Sequence, residues 1–281
     1  MVLDTDAYNE VDDQFCIVHA LASPDWLKLE AIYAAPFLND RSKDAEDGME
    51  KSHEEILRLL ERLDHPSAGF VHKGSRSFLK SPNHPQESEA ARDLVRRAMG
   101  VDDVLYVAAI GAVTNVASAI LIEPAIAERI VVVWLGGHHH MHPHTKEFNL
   151  QQDRHSSRII LDSGVPLVRI PCAGVASHLL STPAEIERFV HPCGRVGAFL
   201  TRRFLEYSDD HFAWSKEIWD VAVTAWLLNP TWVPSALMHS PVLTDQITWS
   251  HDPNRHFIRV ATSISRDNVF RDLFEKLARL G

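Results

Sequence analysis

The amino-acid sequence predicts a three-layer α/β/α protein, with helices on both faces of a mainly parallel, mixed central sheet. Two observations support this fold class. Short apolar runs rich in Val, Ile and Leu alternate along the chain with stretches whose apolar residues recur every three or four positions. The 281 residues, 45% of them hydrophobic, are enough for one large core. That length would also suffice for two small domains, and the regular alternation of strands and helices favours a single domain over residues 1–281.

Each predicted strand is an apolar run bounded by turn residues, and each predicted helix has the three- and four-residue apolar spacing. Strands are expected at 1–3, 29–35, 69–72, 104–110, 130–135, 166–170, 247–250 and 256–263, the last two as candidates for a hairpin. Helices are expected at 15–21, 49–63, 88–99, 113–122, 156–162, 196–207, 216–228 and 266–280. Thr182 before Pro183 predicts a further helix start. The polar segment 80–89 predicts a surface loop or a flap over a site.

Composition narrows the classes of function. Lys and Arg total 28 against 38 Asp and Glu, a formal net charge of −10, and there is no basic run. A nucleic-acid polymer is therefore not expected as a partner. We expect no membrane association, because no apolar run reaches spanning length and the amino terminus has no signal-peptide pattern. Cys16, Cys172 and Cys193 form no CxxC pair, which favours reduced thiols in the cytoplasm.

The stretch 2–13 indicates a strand, an acidic loop and the start of a helix. It contains four aspartates and one glutamate: Asp4, Asp6, Glu10, Asp12 and Asp13. In an open α/β sheet, a loop of this kind lies at the carboxyl end of a strand, where ligands bind. Carboxylates packed this closely raise one another's pKa values, and a hard cation such as Ca²⁺ or Mg²⁺ relieves the repulsion. The alternative is a solvated helix amino terminus, where Asp is favoured without a metal.

Other polar loops are expected at the same edge of the sheet, because the carboxyl ends of parallel strands converge. They are Asn39-Asp40, 73–76, 111–115 and 136–149. Asp220 lies near the start of an otherwise apolar helix, where a carboxylate is costly unless it is paired or metal-bound. The alternative for Asp220 is an ordinary first-turn Asp.

Five histidines occur between positions 138 and 144: His138, His139, His140, His142 and His144. Imidazoles suit Zn, Cu or Ni, but a defined zinc site usually takes spaced ligands from fixed elements. The sequence favours a polar loop that lines the pocket, with one or two histidines acting as hydrogen-bond donors or as a general acid. A transition-metal site is the alternative.

The nearest competing motif is that of a haloacid-dehalogenase-type phosphatase, which opens with Asp-x-Asp after a first strand. Asp4-Thr5-Asp6 meets half of that motif. Tyr8 departs from it at the fifth position, and it does not explain the pair Asp12-Asp13. The sequence has no Gly-rich phosphate loop of the P-loop or Rossmann type.

Four motifs together resemble those of the nucleoside hydrolases, the inosine–uridine-preferring superfamily. Asp4-Thr5-Asp6 followed by a double Asp resembles the family's opening signature, and AAIGAVTN at 108–115 resembles its Gly-x-x-Thr-Asn segment. Gly136-Gly137 with Glu147-Phe148-Asn149 resembles its Gly-Gly…Glu-Phe-Asn stretch, and Asp220 resembles its last metal-binding Asp. The four motifs occur in the family's order across most of the chain. The resemblance implies a nucleoside-hydrolase-like α/β fold.

The resemblance also implies an N-ribohydrolase that splits the bond between ribose and a base, with one Ca²⁺ at the pocket floor. By position, the metal ligands would be Asp6, Asp13, Asp220 and the backbone carbonyl of Ile110. Asp6 would also act as general base toward a water. The residues implied to hold the ribose hydroxyls are Asp12, Asn39, Glu147 and Asn149. Such a carboxylate-rich floor suits an oxocarbenium-like transition state.

The opening loop departs from the common family pattern. Five residues separate Asp6 from Asp12, where the common form has a shorter Pro-Gly-type link. We therefore expect Asn9 and Glu10 near the ligand.

The residue before the last metal-binding Asp departs as well. Trp219 stands where members acting on both purine and pyrimidine nucleosides have a His that protonates the leaving group. This resembles the purine-preferring members, in which a Trp stacks on the base. Core packing is the alternative role for Trp219. We expect a side-chain acid, if there is one, at His140, with other candidates at His138, His142 and Asp40.

The sequence thus predicts Ca²⁺-dependent hydrolysis of ribonucleosides, purine nucleosides ahead of pyrimidine ones, by a cytoplasmic homo-oligomer (dimer or tetramer). Two alternatives stay open. One is a metal-dependent hydrolase of another ribosyl or phosphate compound. The other is a nucleoside- or ribose-binding protein that keeps the metal site and lacks turnover.

Overall fold

A computed structural model describes residues 1–280, in which strands and helices alternate along most of the chain. The strands are β1 (Val2–Thr5), β2 (Ala31–Ala34), β3 (Val71–Lys73), β4 (Leu105–Ala109), β5 (Ile130–Leu135), β6 (Leu167–Ile170), β7 (Leu180–Ser181), β8 (Lys216–Glu217), β9 (Ser235–His239), β10 (Val242–Leu243), β11 (Trp249–Ser250) and β12 (Phe257–Ala261). The helices are α1 (Asp12–Leu21), α2 (Ala45–Arg62), α3 (Glu89–Gly100), α4 (Thr114–Ile122), α5 (Phe148–Gln152), α6 (Arg154–Asp162), α7 (Pro183–Phe189), α8 (Gly194–Leu205), α9 (Val221–Leu228) and α10 (Arg266–Leu277).

Eight strands form the central sheet in the order β3-β2-β1-β4-β5-β6-β12-β9. Every neighbouring pair is parallel except β12 with β9, so the sheet is mixed and mainly parallel. β1 pairs with β2 on one side and with β4 on the other. The strand order reverses between β1 and β4, and open α/β sheets bind ligands in the crevice that such a reversal leaves at the carboxyl ends.

Helices cover both faces of the sheet. Residues of α1, α2, α7, α8, α9 and α10 pack in one apolar core, and residues of α3, α4 and α6 pack in the other. Adjacent strand residues point to opposite faces, so Leu3 belongs to the first core and Val2 to the second. The three-layer α/β/α architecture predicted from the sequence is therefore confirmed.

Helix α7 begins with the side-chain cap predicted from the sequence, and helix α3 begins with a cap of the same kind. Thr182 Oγ1 accepts a hydrogen bond from the Glu185 amide, and Pro183 occupies the first turn of α7. Ser88 Oγ accepts from the Ala91 amide at the start of α3. These side chains satisfy amide groups that have no partner within their own helix.

The helix predicted over 216–228 is wrong in its first part. Lys216–Glu217 form β8, which pairs antiparallel with β7, and α9 begins only at Val221. Lys216 Nζ lies 2.5 Å from Glu10 Oε2, so a tertiary ion pair holds this segment extended against the opening loop. Periodicity within the segment contains no information about that distant partner.

The suggested hairpin between 247–250 and 256–263 is also wrong. β11 pairs with β10, whereas β12 enters the main sheet between β6 and β9. β9 was not predicted, because it is an edge strand with a mostly exposed or half-buried pattern and an apolar run of only three residues, Ala236-Leu237-Met238. Within residues 1–280, no helix has both the length and the apolar character needed to cross a bilayer.

Candidate active site and metal centre

A cavity of about 270 Å³ opens at the carboxyl end of the sheet. Its walls include residues that directly follow, or lie just beyond, five adjacent strands: Asp6, Asn39, Ile110, His138 and Cys172. The structure brings nine of the ten predicted site residues to this cavity: Asp6, Asp12, Asp13, Asn39, Ile110, Glu147, Asn149, Trp219 and Asp220. The tenth, His140, is not part of its lining.

Buried carboxylates form the floor of the cavity. Asp12 and Asp13 begin α1, and Asp220 occupies the N-cap position of α9 without a capping hydrogen bond from its side chain. These two helices pack together. Each of these three side chains offers an oxygen, and the three oxygens lie within 4.8 Å of one another. Asp6 lies beside the trio, fully buried, and neither of its carboxylate oxygens has a hydrogen-bond partner.

The protein compensates the charge of the floor only in part: Thr5 Oγ1 donates to Asp13 Oδ1 at 2.5 Å, and Lys216 attracts the Asp12 carboxylate. Burial raises the pKa of Asp6 well above its usual range, and the neighbouring Asp12 raises it further. Burial has the same effect on the pKa of Asp13 and Asp220, and it raises the pKa of Asp12 to about 7. Carboxylate oxygens are the ligands that a hard divalent cation takes, and both oxygens of Asp6 and Oδ1 of Asp12 have no hydrogen-bond donor, so the set fits such an ion. The implied ligand set omitted Asp12, which was expected to face the sugar, yet Asp12 belongs to the close trio.

The absence of a side chain at Gly111 leaves room for the Asp6 carboxylate. A Cβ on Gly111 would lie 3.0 Å from Asp6 Oδ1 and 3.1 Å from its Cγ, which is closer than side chains normally approach. The glycine therefore lets the loop after β4 pass against the Asp6 carboxylate. This supplies a physical reason for the glycine of the AAIGAVTN motif.

Asp4 does not line the cavity and belongs instead to a buried hydrogen-bond network. Its Oδ1 accepts a 2.7 Å hydrogen bond from Asn115 Nδ2, and Asn115 Oδ1 accepts from the amide and hydroxyl of Ser75. Burial raises the pKa of Asp4 to about 7. This network ties β1 to α4 and to the segment after β3.

The polar residues expected to contact ribose are held by the backbone around them. The Glu147 carboxylate accepts from the amides of Gly137, Asn149 and Leu150 at 2.8 to 3.0 Å and so caps α5. Asn149 Nδ2 donates to Leu135 O at 3.0 Å. These side chains are fixed on the cavity wall before any ligand arrives.

The enlarged opening loop reaches the cavity, as expected for Asn9 and Glu10. Its backbone carbonyl at Asn9 accepts from Arg41 Nη1 at 3.1 Å and from Tyr207 OH at 3.4 Å. Glu10 is held by its ion pair with Lys216. The loop is thus anchored from two sides to the cavity rim.

The histidine candidates divide between the cavity and the outer loop. His140 packs its ring against Trp249 and His251, at centroid distances of 5.7 and 5.2 Å, and burial lowers its pKa to about 3. His138 lines the cavity, and burial lowers its pKa to about 4. His142 and Asp40 are not part of the lining.

Two further wall residues were not singled out from the sequence. Cys172 follows β6, and the convergence of strand ends could have identified it. Lys146 adjoins Glu147 in an irregular loop and had no comparable signal. The cavity wall contains none of residues 80–89, so the structure does not place that loop as a flap.

Comparison with known proteins identifies relatives of this chain. A family model described as inosine-uridine preferring nucleoside hydrolase matches residues 1–271. The pyrimidine-specific ribonucleoside hydrolase RihA of Salmonella typhimurium is 29% identical over 249 residues, which cover 78% of this chain and 76% of that protein.

Solved structures share the fold over nearly the whole chain. The purine-preferring ribonucleoside hydrolase from Gardnerella vaginalis is 20% identical, with a TM-score of 0.74 over 99% of this chain and 98% of its own. The inosine-uridine preferring nucleoside hydrolase from Bacillus anthracis is 15% identical, with the same TM-score and coverage. At these identities the likeness shows the fold alone.

Proposed function

The chain belongs to the inosine-uridine preferring nucleoside hydrolase family, and from this premise we propose a Ca²⁺-dependent enzyme that prefers purine ribonucleosides. As a nucleoside hydrolase it cleaves the N-glycosidic bond, which releases ribose and a free base. The observation that most directly supports the proposal is Asp6, a fully buried carboxylate without a hydrogen-bond partner at the edge of an acidic trio.

The proposed ligands of the Ca²⁺ ion are Asp6, Asp13, Asp220 and the backbone carbonyl of Ile110. All four residues line the cavity, and the three carboxylates are buried. Bound Ca²⁺ would orient a water and lower its pKa. Asp12 offers an oxygen within 4.8 Å of those of Asp13 and Asp220 and is therefore a further candidate ligand, unlike the other proposed ribose contacts Asn39, Glu147 and Asn149.

Asp6 is the proposed general base. Its carboxylate lines the cavity, and no hydrogen-bond donor of the protein occupies either of its oxygens, so it is free to accept a proton. The other carboxylates surround the sugar with negative charge, which stabilises an oxocarbenium-like transition state. Glu147 and Asn149, which line the same cavity, are proposed to orient the ribose.

Trp219 supports the proposed purine preference. It lines the cavity immediately before Asp220 and is half-buried, so its indole is available to stack on a planar base. His140 lies outside the cavity lining, whereas His138 lines it. We therefore assign activation of the leaving base to Trp219.

A panel of nucleosides tests the function. We expect release of base from inosine and guanosine ahead of uridine and cytidine, with activity lost in a calcium chelator and restored by Ca²⁺. Faster cleavage of uridine would contradict the purine preference and leave nucleoside hydrolysis standing, in line with the pyrimidine-specific relative. Cleavage of p-nitrophenyl phosphate in place of p-nitrophenyl riboside would support a phosphatase. Ca²⁺ binding with every nucleoside left intact would support a binding protein.

We further propose a cytoplasmic homo-oligomer, a dimer or a tetramer. The three cysteines are free, which fits a reducing compartment. Sedimentation equilibrium of the 31.7 kDa chain measures the oligomeric state directly.

A further inference from the structure

Three histidines of the loop after β5 lie close together, and one of them, His138, also lines the cavity. His138, His142 and His144 each offer a ring nitrogen, and the three nitrogens lie within 4.8 Å of one another. Their ring centroids are 4.5 Å (138 to 142), 4.8 Å (142 to 144) and 5.7 Å (138 to 144) apart. We propose that this histidine trio binds a transition-metal cation of the Zn²⁺ class, at a site separate from the acidic floor.

The donor chemistry distinguishes the two sites. Imidazole nitrogens are ligands for Zn²⁺, Ni²⁺ and Cu²⁺, whereas Ca²⁺ takes oxygen ligands of the kind found on the acidic floor. A neutral imidazole binds a metal ion without first losing a proton, and histidine is ordinarily neutral above about pH 6.5.

The backbone of the loop prearranges the trio. His142 Nδ1 donates to His144 O at 2.9 Å, which places the proton on Nδ1 and leaves the Nε2 lone pair free. A hydrogen bond of this kind is what orients metal-binding histidines in proteins. At His138 and His144, Nδ1 accepts only a 3.3 Å contact from a backbone amide, which a metal ion can displace at little cost.

The two ends of the loop are fastened together and to the sheet. The His138 amide donates to Thr145 Oγ1 at 2.9 Å, which closes the loop. The His138 carbonyl accepts from Arg169 Nη1 at 3.0 Å and from Trp249 Nε1 at 3.1 Å. The trio therefore has fixed ends, unlike a mobile histidine tract, and three imidazoles leave a fourth tetrahedral position for water. The inference does not depend on the proposed function.

The test uses untagged protein that is saturated with Ca²⁺, so that the acidic floor is already filled. Zn²⁺ is titrated by calorimetry and in competition with a chromophoric chelator, and Co²⁺ absorption provides a spectroscopic signature of the nitrogen ligands. We expect one Zn²⁺ per chain. His142→Ala and His144→Ala should each weaken Zn²⁺ binding by roughly tenfold or more.

His139→Ala is the matched control, because His139 belongs to the same run and lies outside the trio. It should leave Zn²⁺ affinity within about twofold, and Ca²⁺ affinity shows that each variant is folded. The proposal is wrong if the Ca²⁺-loaded protein takes up no Zn²⁺ in saturable fashion, or if His139→Ala loses as much affinity as His142→Ala. It is also wrong if Asp220→Asn, and not the histidine variants, abolishes Zn²⁺ uptake.

Discussion

Asn39 Nδ2 donates a 2.7 Å hydrogen bond to Asn9 Oδ1 and thereby joins the loop after β2 to the enlarged loop after β1. Both residues line the cavity. Asn39 Oδ1 accepts from the Arg41 amide at 2.9 Å, so the orientation of the Asn39 side chain is fixed on both sides. Asn39, which is proposed to contact ribose, is thus held in place by the enlarged opening loop between Asp6 and Asp12.

Asn9→Ala should raise KM for nucleosides about 3- to 10-fold, because one net hydrogen bond of roughly 0.5–1.5 kcal/mol no longer holds Asn39. Turnover at saturation should change by less than about twofold, since Asn9 does not act on the reacting atoms. Steady-state kinetics separate the two quantities. Asn254→Ala, at an exposed turn far along the chain, is the control. An unchanged KM would show that the pairing does not position Asn39.

Asp6→Asn should have opposite effects on catalysis and on stability. Turnover should fall by about 10²- to 10⁴-fold, the usual contribution of a general base. In a calcium chelator, however, the variant should be more stable than the parent protein by about 1 kcal/mol or more, because a buried carboxylate with a strongly raised pKa is removed. Chemical unfolding with and without chelator measures this, and retained turnover would refute the assignment of the base.

Trp219→Ala should lower kcat/KM for inosine by about 5- to 150-fold, which corresponds to the roughly 1–3 kcal/mol of one aromatic stack on a base. Trp219→Phe keeps an aromatic face and should retain most of the activity. Trp26, which is 77% exposed, provides the control Trp26→Ala. Equal losses in the alanine and phenylalanine variants would indicate that Trp219 serves core packing.

Gly111→Ala should weaken Ca²⁺ binding by about tenfold, or roughly 1.4 kcal/mol. The added Cβ meets Asp6 Oδ1 at 3.0 Å and forces the carboxylate to shift. Gly100→Ala is a matched control, because an added Cβ there meets no atom within 4 Å. Calorimetric titration with Ca²⁺ compares the two variants. Equal affinities would mean that Asp6 either relaxes freely or does not bind the ion.

His19 connects the helices that hold the acidic floor. The buried ring places Nδ1 2.7 Å from Thr224 Oγ1 in α9 and Nε2 2.7 Å from Asp272 Oδ2 in α10. Burial lowers the pKa of His19 below 6.5 in spite of the carboxylate, because the loss of hydration outweighs that attraction. The unfolded chain therefore takes up a proton near pH 6.5 that the folded chain resists.

The stability that His19 contributes should accordingly be present above pH 7 and decline as the pH falls below about 6.5. His19→Gln cannot titrate, so the difference in unfolding free energy between parent and variant should shrink as the pH falls below that point. Urea unfolding at pH 7.5 and 5.5, with Ca²⁺ present in both, measures the difference. A constant difference would mean that His19 keeps its ordinary pKa.

Much of the site could be predicted because its residues sit at the ends of parallel strands. Asp6, Asn39 and Ile110 follow β1, β2 and β4, and the convergence of those ends does not depend on side-chain detail. The inclusion of Asp12 in the close trio could not be predicted in this way. It depends on how α1 is rotated against α9, which packing across the fold decides.

The choice between His138 and His140 was beyond sequence reasoning for a related reason. The loop after β5 has no repeating period, so spacing does not indicate which side chain turns inward. In the structure, the contacts of Arg169 and Trp249 with the His138 carbonyl fix the local backbone. The short strands β8 and β9 were missed because β8 consists of two charged residues and β9 is a mostly exposed or half-buried edge strand, so neither has the long apolar run that predicts a strand.

The packing of α1 against α9 brings Asp13 and Asp220 together from opposite ends of the chain. No short segment can assemble this cation site, since loop closure over such a separation must come first. The site therefore becomes complete only when α9 has packed against α1. During refolding, the appearance of Ca²⁺ binding should coincide with native assembly and lag behind the recovery of helical structure.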